Sequence, residues 1–172
     1  MGSILHAGNN RYLRLIPRSA SHAIAVAWMA EKEEDNYLNY REDKGTSQWW
    51  LHPARYLTEQ ISDYELPENA ELAVIVRNPI ERFRSMVAKQ DVTLNEQLAN
   101  PRYQALPPLP FTVYFRFEDQ LQACATWLGI AQILPQLDPA QSTDKPNLTP
   151  EQEVRVREIY ATDIALWESL QP

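Results

Sequence analysis

The clearest buried strand is Glu71–Arg77, with Leu72-Ala73-Val74-Ile75-Val76 as a continuous apolar run. Periodicity alone does not separate a run this short from helix. Its β-branched content and the stop at Pro79 predict a strand buried on both faces. Pro79 suits the first turn of a helix reaching about Gln90, with Phe83, Met86 and Val87 on one face. The same change of pattern recurs along the chain. Tyr12–Ile16 alternates weakly and ends at Pro17, a strand followed by a loop. Ser19–Ala30 is rich in alanine, with Ile24, Val26, Trp28 and Met29, and reads as a largely buried helix. Phe111–Phe115 is a further strand, and Glu118–Leu128 a helix that Gly129 closes. Thr149 caps one long final helix, with Pro150 at its first position, Glu151 or Gln152 in its first turn, and Val156, Ile159, Tyr160, Trp167 and Leu170 as its apolar stripe.

Between these units the pattern weakens. Glu31–Gln48 is polar and charged, a surface stretch. Trp49-Trp50-Leu51 is a short strand or a buried anchor, and Pro53–Ile61 a helix with Pro53 in its first turn. Asp91–Pro110, with Pro101, Pro107, Pro108 and Pro110, reads as an extended or loosely helical insertion, and Ala131–Asn147 as loop. Repeated strand–helix alternation predicts an α/β fold with a mostly parallel sheet, residues 1–172 forming a single domain.

Composition narrows the function. The 172 residues suffice for one core, and 44% apolar content argues against wholesale disorder. Sixteen basic against 23 acidic residues give a net charge of -7, which does not suit wrapping a nucleic acid. An anionic ligand remains compatible, since a few local charges set a pocket. Cys124 is the one cysteine, so no intrachain disulfide forms, and a buried inert thiol is expected. No His/Cys cluster suggests a metal. Without a long apolar run, a soluble cytoplasmic protein with no membrane span is expected.

Two segments carry candidate chemistry. Ile16-Pro17-Arg18-Ser19-Ala20-Ser21-His22 joins the first strand to its helix, where backbone N–H groups, Arg18, Ser19 and Ser21 favour an anion. Arg77-Asn78-Pro79-Ile80-Glu81-Arg82-Phe83-Arg84-Ser85 leaves the apolar strand. Arg77 stands at the strand end facing the crevice where ligands bind, and the Ser85 hydroxyl follows eight residues later. A guanidinium fork and a hydroxyl make a cradle for a terminal phosphate. Two such turns on neighbouring strands suit one ligand with two separated negative groups.

These segments resemble the sulfotransferase superfamily. The second resembles its R-x-P-x-x-R-x-x-S signature at Arg77, Pro79, Arg82 and Ser85. The first resembles its P-K-x-G-T-T-S loop through Pro17, with Arg18 for lysine, Ala20 for glycine and Ser21 for threonine, and His22 and Ala23 following. Phe115-Arg116-Phe117-Glu118-Asp119 with Trp127-Leu128-Gly129 resembles the strand, Y-E-D-L turn and F-L-G helix end. The tail from Asn147 through Leu170 resembles the family's last helix. The resemblance covers most of the chain, which is short for the family. It implies a three-layer αβα fold of the P-loop NTPase-like kind. It also implies binding of 3′-phosphoadenylyl sulfate (PAPS), formation of adenosine 3′,5′-bisphosphate, and sulfonate transfer to a small-molecule or carbohydrate hydroxyl. Arg77 and Ser85 would hold the 3′-phosphate, and Arg18, Ser19, Ala20, Ser21 and His22 the phosphosulfate. Arg18 would stabilise charge on the transferring group and His52 would be the base, while Arg82 reads as an intradomain or rim arginine and Glu118 as structural.

Simpler readings compete. Arg77 is also a surface ion-pair partner, Ser85 a helix-surface serine, the Ser19–Ser21 turn a helix cap, and His22 and His52 polar packing residues. A non-catalytic nucleotide-binding or protein-interaction domain that kept the fold is the alternative function. A nucleotide kinase is disfavoured, for want of a GxxxxGK[ST] loop.

Overall fold

The computed structural model describes residues 3–16, 19–32, 59–60, 66–88, 93–99, 106, 110–131 and 145–170. In chain order the elements are Ser3–Gly8 (β1), Arg11–Arg14 (β2), Ser21–Lys32 (α1), Glu59–Gln60 (β3), Glu71–Val76 (β4), Pro79–Ala88 (α2), Leu94–Ala99 (α3), Val113–Arg116 (β5), Leu121–Trp127 (α4), Pro150–Ile159 (α5) and Ala161–Ser169 (α6).

The fold is α/β, with strands in the order β3-β1-β2-β4-β5. The sheet is mixed, which corrects the mostly parallel expectation. Strands β2, β4 and β5 run parallel, whereas β1 pairs antiparallel with both β2 and β3. The strand β1 was not expected at all. It joins β2 through Asn9 and Asn10, at φ 51° and 59°, after Gly8 at φ 84°. Two left-handed residues make the primed turn whose twist matches a two-stranded hairpin, and asparagine tolerates that region better than most residues. A bulge between His6 and Gly8 adjusts the register.

The apolar run of β4 alternates between two faces, as strand geometry requires. Ala73 and Ile75 join Leu5, Leu13 and Phe115 against Ile24, Ala27 and Trp28 of α1 and Cys124, Ala125 and Leu128 of α4. Val74 and Val76 point the other way, with Ile16, against Leu166 and Trp167 of α6 and Leu170. Helices therefore cover both faces of β4, which is why its sequence is continuously apolar. Burial of each such side chain contributes about 1.5–3 kcal/mol. A further cluster sets Phe83 and Met86 of α2 against Val156 and Tyr160.

Caps explain where helices start and stop. Thr149 and Gln152 form a reciprocal capping box at α5, with Pro150 in its first turn. Gly129, at φ 75°, ends α4: its N–H donates to the Thr126 carbonyl and that of Ile130 to Ala125, both at about 3 Å. Three helix expectations need correction. The single final helix is two, divided at Tyr160 (φ -109°), whose buried ring packs against Phe83 at 6.3 Å between centroids. The helix expected over Pro53–Ile61 does not run through Glu59–Gln60, which pair with the open edge of β1; the rest of that segment lies outside the described residues. The first helix begins at Ser21, because Ser19 and Ala20 form the turn before it. The stretch Asp91–Pro110 includes the helix α3, whose first turn is capped by Thr93 and Glu96. The segments 33–58 and 132–144, with Trp49 and Trp50, lie outside the described residues.

Candidate functional site

Parallel pairing of β2 with β4, from Arg11 opposite Glu71 to Arg14 opposite Val74, makes both strands end at the same edge of the sheet. The turn before α1 and the link before α2 leave that edge from adjacent strands, which in any sheet lie about 4.8 Å apart.

After β2, the Ser19 N–H donates to the Ile16 carbonyl at 3.2 Å. Ala20 follows at φ 57°, a left-handed conformation that costs a residue bearing a Cβ about 1–2 kcal/mol. Its carbonyl accepts from the Ile24 N–H at 2.9 Å, so Ala20 is the N-cap of α1. An alanine cap offers no side-chain oxygen, and the first turn of α1 holds no acidic residue. The positive end of the helix is thus left without a carboxylate of its own turn. Ser19 is 1% exposed, and its Oγ has no hydrogen-bond partner among the described residues. An unpartnered buried hydroxyl costs about 1–3 kcal/mol. A strained backbone beside an orphaned hydroxyl is the kind of local cost that functional sites retain.

After β4, the order is different. Asn78 is the N-cap of α2: its Oδ1 accepts from Ile80 and Glu81 N–H at 3.0 and 3.2 Å. Pro79, lacking an N–H, takes the first helical position. The Asn78 N–H donates to Glu118 Oε1 at 2.9 Å, and the other Glu118 oxygen accepts from Trp167 Nε1 at 3.1 Å. Glu118 thereby ties the β4–α2 link, the turn after β5 and α6 together, the structural role expected for it. The guanidinium carbon of Arg77 lies over the Phe117 ring, 4.5 Å from its centroid.

Ser85 is the seventh residue of α2 and is buried. It stands about 9 Å along the helix from Pro79 at 1.5 Å per residue. Arg82 faces inward, with Nη2 donating to Asp163 Oδ2 at 2.8 Å and Cζ over the Tyr160 ring at 5.3 Å. The other Asp163 oxygen accepts from Leu106 N–H at 2.9 Å, so this buried pair is fully structural. Glu81 receives Arg84 Nη1 at 2.6 Å and Lys145 Nζ at 3.1 Å. Arg84 Nε also donates to the Pro146 carbonyl at 2.9 Å. Burial pushes the Glu81 carboxyl up, but these hydrogen bonds and the two positive charges outweigh it and hold the group below its ordinary range.

The structure therefore brings the Ser19–Ser21 turn and Arg77 to one edge, while Ser85 lies further along α2. His22 is the second residue of α1. Arg18 and His52 lie outside the described residues. Cys124 is buried in α4, and desolvation pushes its thiol up to about 12. Among the described residues, no group of three or more histidine, cysteine or acidic side chains is placed to hold a metal.

Sequence reasoning gave no role to Asn78, Phe117 or Lys145. Asparagine directly before proline was a readable N-cap signal. The contacts of Phe117 and Lys145 form between elements distant in sequence and left no local signal. No family model, curated protein or solved structure matches the chain.

Proposed function

We propose that the chain binds 3′-phosphoadenylyl sulfate along the shared edge of β2 and β4 and transfers its sulfonate to a hydroxyl acceptor, with carbohydrate the favoured class. The observation that carries this reading is the turn before α1: a buried Ser19 hydroxyl with no partner among the described residues, a left-handed Ala20 and a first helical turn with no acidic residue. The hydroxyl and the helix start favour an anion, the strained Ala20 is a local cost of the kind functional sites retain, and together they fit one end of a doubly charged nucleotide. Arg77, on the next strand, fits the other end, and its planar fork suits bidentate contact with a phosphate. The likeness of Arg77–Ser85 to the sulfotransferase signature supports the assignment, as does a sheet with helices on both faces.

The bound donor supplies an activated sulfonate whose S–O bond to phosphate breaks as a bond to the acceptor oxygen forms. The residues of the chain bind and orient. N–H groups at the start of α1 and Arg18 stabilise negative charge on the leaving phosphate oxygen. Arg77, with Ser85, fixes the 3′-phosphate, and His52 takes the acceptor hydroxyl proton.

Titration calorimetry with adenosine 3′,5′-bisphosphate tests the reading. Wild type should bind at micromolar concentration or below, and Arg77→Ala should bind about 10–100-fold more weakly, the loss of one charge-assisted phosphate contact. Folded wild type that takes up no nucleotide contradicts it. With binding established, production of the bisphosphate from the sulfated donor only when hydroxyl acceptors are present separates transfer from binding alone.

A further inference from the structure

Residues 116–118, leaving β5, hold residues 76–78, leaving β4, through three successive contacts. The Phe117 N–H donates to the Val76 carbonyl at 2.8 Å, which extends the parallel ladder past the end of β5. The Phe117 ring lies under the Arg77 guanidinium at 4.5 Å. Glu118 Oε1 then accepts from the Asn78 N–H at 2.9 Å. One strand end thus fixes the other through the Phe117 backbone N–H and the Phe117 and Glu118 side chains in turn. The Phe117 ring is held in its own place, packed against the cluster of Leu5, Leu13, Ile75, Phe115 and Cys124.

The face of an aromatic ring attracts a guanidinium through the ring quadrupole. A ring held by the core therefore restricts the rotamers of Arg77. A long side chain otherwise loses that freedom only when ligand binds, at a cost to affinity.

We infer that Phe117 is a positioning residue for the 3′-phosphate. It restricts the Arg77 side chain before ligand binds and thereby selects nucleotides that carry a 3′-phosphate over those that do not. The inference rests on the donor-site reading above. Phe117 touches no substrate in this account and acts through Arg77.

The test compares adenosine 3′,5′-bisphosphate with adenosine 5′-phosphate by calorimetry, on wild type, Phe117→Leu and Phe117→Tyr, and on the same leucine change in an Arg77→Lys background. Thermal melts verify that each variant is folded. Phe117→Leu should weaken the bisphosphate about 3–5-fold, the scale of an exposed cation–π contact, and leave the monophosphate unchanged. Phe117→Tyr, which keeps the ring, should restore wild-type preference. In the Arg77→Lys background, where a shorter and more strongly hydrated ammonium faces the ring, Phe117→Leu should have a smaller effect than in wild type. Equal weakening of both nucleotides, or no loss from folded Phe117→Leu, overturns the inference and leaves the donor site standing. A wild type that binds neither nucleotide overturns the donor-site reading and this inference with it.

Discussion

The turn before α1 and the link before α2 leave neighbouring parallel strands, yet they are built in opposite ways. The first holds a Ser19 hydroxyl with no partner among the described residues and a left-handed alanine at its helix cap. The second is supported throughout: Asn78 caps α2, Glu118 receives the Asn78 N–H, Phe117 lies under Arg77, and Arg82 is paired with Asp163. The second link would hold its shape with nothing bound. The first carries a folding cost that an anion donating nothing and accepting several N–H and O–H groups would offset. One turn is a rigid reference, and under the proposed function the nucleotide would complete the other.

The largest expected effect breaks the rigid side. Asp163→Ala leaves the Arg82 guanidinium buried without its carboxylate and removes the acceptor of the Leu106 N–H. It should cost about 3–5 kcal/mol in urea unfolding, the cost of breaking a buried pair. A loss under about 1 kcal/mol would mean that this side is not the firm one. The next effect tests the costly side. Ala20→Gly removes the Cβ from a residue at φ 57° and should raise stability by about 0.5–1 kcal/mol, after the greater flexibility of unfolded glycine is subtracted. A destabilised Ala20→Gly would show that Ala20 is not strained.

A smaller effect comes from Glu81, which joins α2 to the Lys145–Asn147 segment. Its carboxyl is held below the ordinary value of 4.5 when folded, so the unfolded chain takes up its proton first. The stabilisation is present above that value and is lost as the pH falls through the folded value. Wild type should therefore lose stability relative to Glu81→Gln between about pH 5 and pH 3, by less than about 1 kcal/mol because the pair is partly solvated. Parallel stability curves for the two proteins over that range would remove the tie.

How much of this was readable depended on whether the cause was local. The β4 strand was legible because a strand covered on both faces must be apolar at every position, and Pro79 marks the next helix within a residue. The Thr149 cap and the Gly129 stop are likewise local chemistry. The β1–β2 hairpin was missed because its turn is Asn-Asn rather than the stronger Asn-Gly, and the sheet was read as mostly parallel for that reason. The break at Tyr160 was hidden, since an apolar stripe runs across it with helical spacing and only packing against Phe83 marks the bend. At the candidate site, the resemblance sets Ala20 opposite a glycine, and the structure gives Ala20 the positive φ that glycine tolerates best. The orphaned Ser19 hydroxyl, the Phe117 support of Arg77 and the Asp163 partner of Arg82 arise from residues brought together by the fold, so no local pattern announced them.

The central claim is that one nucleotide engages both turns. The most direct measurement is an amide NMR titration of the isotope-labelled protein with adenosine 3′,5′-bisphosphate. The account predicts that the amides of Ser19–Ala23 and of Arg77–Glu81 shift together along one saturation curve. Saturable shifts confined to one of these segments, or lying away from both, would contradict it.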